Sequence, residues 1–118
     1  MYSPTQYCNA EAVHGLTARY GKFLETMPLQ DKLFLRATLS LYQYQRFLVE
    51  ENEQENLFPP KRTLDEAIEA TDPDSWNLIP VTVDWLLKFV MDEEKGEGTD
   101  NFEAFLKAMN DAIGQYLL

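Results

Sequence analysis

The chain has 118 residues, with 10 Lys and Arg against 20 Asp and Glu, a formal net charge of −10 and a pI of about 4.4. That is one domain's length; no apolar run reaches the ~18 residues of a membrane span, no secretory signal is visible, and a single cysteine excludes an internal disulfide. The sequence therefore reads as a soluble cytoplasmic domain that binds neither nucleic acid nor anionic membrane, because both are held by Lys and Arg.

Val and Ile together number 8 against 16 Leu, and no stretch alternates cleanly between polar and apolar. Both features favour helix over strand. The first helix is expected from about Glu11 to Thr26, with Val13, Leu16, Tyr20, Phe23 and Leu24 on one side; Gly21 either lies within it or marks a kink. Pro28 suits the start of a second helix continuing to about Asn52. Apolar residues cover most of that helix's circumference, so it is expected to be enclosed as the central element, with Tyr42, Tyr44 and Phe47 in the core. A polar connection and Pro59-Pro60 follow, and Thr63 with Glu66 forms a capping box for a short helix from Leu64 to about Thr71. Asp72 to Ser75 reads as a turn, and Trp76, Leu78 and Ile79 lay the connection on the core. Pro80 starts a further helix that Gly96 and Gly98 stop, and Asp100 with Glu103 caps the last one, Asn101 to about Tyr116. The expected fold is all-α, a single-domain bundle of four to five helices spanning 1–118.

No catalytic constellation emerges. Glu11 and His14 have the spacing of a metal-sharing pair, but the sole histidine cannot build a two-pair site and it falls on the polar side of its helix. Cys8 and His14 have no group to orient the imidazole. Neither a phosphate-cradling glycine loop nor a nucleotide fingerprint is present. The expectation is a protein that is not an enzyme and has no cofactor beyond weak calcium binding.

That calcium expectation comes from Asp92 to Met109, which looks like a degenerate EF-hand through Gly96, Gly98, Thr99, Asn101, Phe102, Phe105 and Leu106. With Glu93 at loop position 1, Gly98 is the turn glycine and Asn101 is position 9, but Lys95 replaces the position-3 acid and Ala104 the closing glutamate. With Asp92 at position 1, Glu103 closes the loop and Glu97 stands where the glycine belongs. The resemblance implies a divalent-cation response with Asp92, Glu93, Glu97, Asn101 and Glu103 as ligands.

Charge distribution carries the main functional expectation. Residues 1–49 hold five basic and three acidic side chains; residues 50–118 hold five basic and seventeen acidic. An acidic face of this kind steers a basic partner. The sequence thus points to a regulatory protein-protein interaction module that contacts a basic protein through Glu50, Glu51, Glu53, Glu55, Asp92, Glu93, Glu94 and Glu97. Phe58 joins the candidates, either tethered with its loop to the bundle or presented by the stiff proline pair beside it. The apolar second and fourth helices leave room for a homodimer.

Overall fold

The computed structural model of the chain describes residues 4–7, 11–71, 80–95 and 100–117. Six helices follow in order: α1 (Pro4–Tyr7), α2 (Glu11–Tyr20), α3 (Leu29–Glu51), α4 (Pro60–Thr71), α5 (Pro80–Lys95) and α6 (Asp100–Leu117). Among the described residues all regular structure is helical, so the all-α bundle is the fold, its five longer helices joined by short connections. The expected turn at 72–75, the side chains of Trp76, Leu78 and Ile79, and Gly96 and Gly98 lie outside the described residues.

The first long helix stops six residues short of Thr26. Gly21 adopts φ 101° and donates its N–H to the Thr17 carbonyl at 2.9 Å, a left-handed stop that glycine adopts without a Cβ penalty. Thr26 then returns to the helix end, its hydroxyl and N–H both donating to the Tyr20 carbonyl. Leu24 therefore reaches the core from a turn, at φ 56° and fully buried. Gly15 and Gly21 should respond oppositely to alanine. At Gly15 a Cβ meets nothing within 4 Å, so Gly15→Ala is expected to stabilise by roughly 0.5–1 kcal/mol. At Gly21 the positive φ makes the same change cost about 1 kcal/mol or more. Thermal unfolding of the two variants checks both signs.

The expected span of α3 is close to the observed one. Pro28, at φ −57° and ψ 145°, precedes it without a side-chain cap. At the other end Glu53 N–H reaches the Glu50 carbonyl and Gln54 N–H the Val49 carbonyl, at 3.2 and 2.9 Å. This is a Schellman stop, with Glu53 at φ 53° in the place glycine usually fills.

The capping box at Thr63 does not form. Helix α4 begins at Pro60, whose fixed φ suits the first helical position. Thr63 is consequently inside the helix and buried, its hydroxyl donating to the Pro59 carbonyl at 3.2 Å. Glu66 instead pairs with Arg62 at 3.6 Å.

Packing radiates from α3, which lies against α4, α5 and α6, while α2 lies against α5. The centre is aromatic. Phe89 is ringed by Trp85, Phe102 and Phe105 at centroid distances of 5.0, 5.7 and 5.3 Å, and Tyr42 meets Phe102 edge-on at 6.0 Å. Trp85 satisfies its indole by donating to the Ala12 carbonyl at 2.7 Å, which pins α5 to α2. Two polar pins fix the neighbours of α3. The Thr38 and Thr71 hydroxyls share a hydrogen bond at 2.8 Å, and the Thr82 hydroxyl donates to the buried Asp31 carboxylate at 2.9 Å.

Candidate functional site

Helix α3 is enclosed on one side only. Leu35, Leu39 and Tyr42 are fully buried, as expected for the central element. Its outward side is bare: Tyr44 is 61% exposed, Phe47 59%, Leu48 40% and Leu33 39%. The expectation that Tyr44 and Phe47 are core is therefore corrected. Helices α4 and α6 flank α3, and no described element lies over its third side. Ala37 and Ser40 share that exposed side. Just beyond the helix end Leu57 adds a further exposed apolar side chain, at 61%.

The four acids at this end, Glu50, Glu51, Glu53 and Glu55, are all exposed. Glu50 and Glu94 line one pocket of about 190 Å³ together with Tyr42, Arg46 and Phe47. The fold thus brings an acid from α5 beside the acids of α3. Arg46 partly offsets them. Its guanidinium sits 3.8 Å from Glu50 but donates at 2.7 Å to the Phe58 carbonyl, so it is committed to tethering the loop. On the α6 side the Gln43 amide donates to Glu103 at 3.3 Å, adding a further carboxylate to the rim.

At the floor of the pocket the buried Tyr42 hydroxyl donates to the Glu94 carboxylate at 2.7 Å. Burial, then the bond and charge of Glu94, push the phenol far above its ordinary value near 10. A group whose folded pKa is raised contributes stability that is intact below its unfolded pKa and lost as pH rises beyond it. Stability is accordingly expected to fall above about pH 10, and Tyr42→Phe to make that alkaline fall shallower. Urea midpoints of the two proteins at neutral and alkaline pH compare the slopes.

The run Asp92, Glu93, Glu94 does not form one patch. Successive helical positions differ by about 100°, and each acid meets a different neighbour. Asp92 borders an open cleft of about 440 Å³ between α2 and α5, with His14, Lys88 and Trp85. Glu93 accepts from the Asn101 amide at 2.7 Å, while Glu94 turns inward to Tyr42. Of the five residues the EF-hand resemblance selects, the structure brings Glu93 and Asn101 together. It points Asp92 towards α2 and Glu103 towards α3. Glu97 lies outside the described residues. Among those described, no group of three or more His, Cys, Asp or Glu is placed to hold a metal ion, and no helix is long and apolar enough to cross a membrane.

Phe58 is half-buried, not presented. Arg62 covers its ring, 4.4 Å from the centroid, and the exposed member of the pair is Leu57. His14 is exposed at the edge of the α2–α5 cleft, away from the core, and Cys8 is outside the described residues. Local patterning on α3 gives no sign that Leu33, Tyr44, Phe47 and Leu48 are surface. The signal lies in the apolar girth of α3 as a whole, which exceeds what its flanking helices can cover. No family model, curated protein or solved structure matches the chain.

Proposed function

We propose that this chain is a non-catalytic interaction module, serving as an adaptor, inhibitor or regulatory subunit, that engages a basic protein through the acidic end of α3. The observation that carries the reading is the convergence of Glu50 and Glu94 on one pocket whose edge is the exposed Phe47. Glu51, Glu53 and Glu55 are exposed at the same end of the helix, and the exposed Leu57 just beyond it offers a second apolar side chain. Exposed aromatic and aliphatic groups inside a charged rim match the usual division of labour at protein interfaces. The anchors give affinity, while the charges steer and select the partner.

Glu53 adds an independent mark. A non-glycine residue in the left-handed region costs roughly 1–2 kcal/mol, so this acid is held at some expense on the proposed surface. Glu53→Gly is expected to stabilise the fold by up to about 1 kcal/mol while weakening partner capture.

The test uses the tagged full chain as bait at low and high salt, beside a Glu50→Lys, Glu53→Lys, Glu55→Lys variant. A basic protein retained by the wild type at low salt, released at high salt and not retained by the variant supports the reading. Capture that ignores both salt and charge reversal contradicts it.

A further inference from the structure

The outward side of α3 carries two patterns that are complementary to themselves when turned end for end. Leu33, Ala37, Ser40, Tyr44 and Leu48 form a stripe on the exposed side without a charged member, roughly 22 Å long at the helical rise. The small residues, Ala37 and Ser40, occupy its N-terminal half. Of the large ones, Leu33 closes the N-terminal end, while Tyr44 and Leu48, with Phe47 beside them, occupy the C-terminal half. Along the α6 flank, Arg36, Gln43 and Glu50 recur every seven residues, reading cation, amide, anion. That flank is fixed by Arg36 donating to Asn110 at 3.4 Å and Gln43 to Glu103 at 3.3 Å. These two contacts bracket the exposed Lys107 of α6, which strengthens the basic end.

We propose that the outward face of α3 binds a second copy of this chain, the two helices antiparallel about a two-fold axis near Gln43. In that arrangement Arg36 of each copy meets Glu50 of the other, and Lys107 faces the same acidic end. Ser40 of one copy falls between Tyr44 and Phe47 of the other, and the two Tyr44 rings lie side by side near the axis. A two-fold interface requires one patch to match itself in this way. A parallel pairing would instead set Glu50 against Glu50 and Phe47 against Phe47. The aromatics suffice to anchor the contact. At about 60% exposure, and with roughly 150–250 Å² each, Tyr44 and Phe47 supply on the order of 200–300 Å² per copy before the leucines and flanks are added. That suits an interface below the standard size and a weak, concentration-dependent dimer. The pairing stands apart from the basic-partner reading, although both use Phe47 and Glu50. It is tested on the purified protein alone, whereas that reading is tested by capture.

Sedimentation equilibrium of the full chain, from low micromolar to sub-millimolar concentration, is expected to show mass rising from 13.7 kDa towards twice that value. Tyr44→Glu, verified as folded by circular dichroism, should weaken association by about a hundredfold or more, as an anchor repeated by symmetry. Arg36→Glu and Glu50→Arg should each weaken it about tenfold, and the two together in one chain should restore it, since the exchanged ends still meet. Glu69→Lys, exposed on α4, should leave it unchanged. A mass of 13.7 kDa throughout, association indifferent to Tyr44→Glu, or a double exchange that restores nothing would each overturn the antiparallel dimer.

Discussion

Phe89→Ala is expected to destabilise the fold by about 3–5 kcal/mol, the range for truncating a buried aromatic. Phe89 is fully buried and touches the rings of Trp85, Phe102 and Phe105. These belong to α5 and α6, and Phe102 passes the contact on to Tyr42 of α3. A cavity there would strip packing from α5 and α6 and, through Phe102, loosen the contact with α3, and their backbones cannot all close in to fill it. Native domains have only about 5–15 kcal/mol in reserve, so the variant should unfold at a much lower urea concentration. Phe47→Ala is the matched control. It removes the same ring from the exposed side of α3 and, at low micromolar concentration where the chain is monomeric, should change stability by no more than about 0.5 kcal/mol. A comparable loss for both variants would contradict the one-sided enclosure of α3.

The second large effect is expected at Asp31. Its carboxylate is buried in the first turn of α3 and accepts from Thr82, near the start of α5, at 2.9 Å. An anion near a helix start is favoured by the backbone dipoles, and the hydroxyl joins that start to a second helix. Asp31→Ala should cost about 2–4 kcal/mol, since a buried hydrogen-bonded charge is removed and Thr82 is left without its acceptor. Thr82→Val should cost roughly 1.5–3 kcal/mol by taking a donor from a buried carboxylate. Because the two groups act through one bond, the double variant should lose at least about 1 kcal/mol less than the sum of the singles. Strict additivity in urea denaturation would show that the bond does not couple α3 to α5. Nearby, Lys32 is also buried, and desolvation lowers its pKa from the usual lysine value while the Glu25 carboxylate opposes the shift.

The helices were legible where one face is apolar and the other polar. In α6, Phe102, Phe105, Leu106, Met109 and Ile113 recur at helical spacing, and all are buried. Local rules misled where two signals competed. Thr63 with Glu66 has the letters of a cap, but the prolines just before it start the helix earlier, and Thr63 ends up inside it. Gly21 was open to either reading because whether a glycine continues or stops a helix depends on contacts made elsewhere. The surface was harder to read for a different physical reason. Periodicity shows that Tyr44 and Phe47 share a side with Leu33 and Leu48, but not whether another helix comes to cover that side. Likewise the composition shows that acids are abundant after residue 49 without showing where each carboxylate goes. Adjacent positions on α5 send Asp92, Glu93 and Glu94 to three different neighbours, whereas Glu50 and Glu94, distant in sequence, share one pocket.

The most direct test of the acidic interaction surface is a chemical-shift titration of the isotope-labelled chain with a helical peptide carrying leucine on one face and arginine on the other. The expected result is a set of shifts centred on Phe47, Glu50, Glu51, Glu53, Glu55, Leu57 and Glu94, strong at low salt and fading at high salt. Shifts spread evenly over the exposed acids of α4, including Asp65, Glu66 and Glu69, with none favouring the end of α3, would contradict the account.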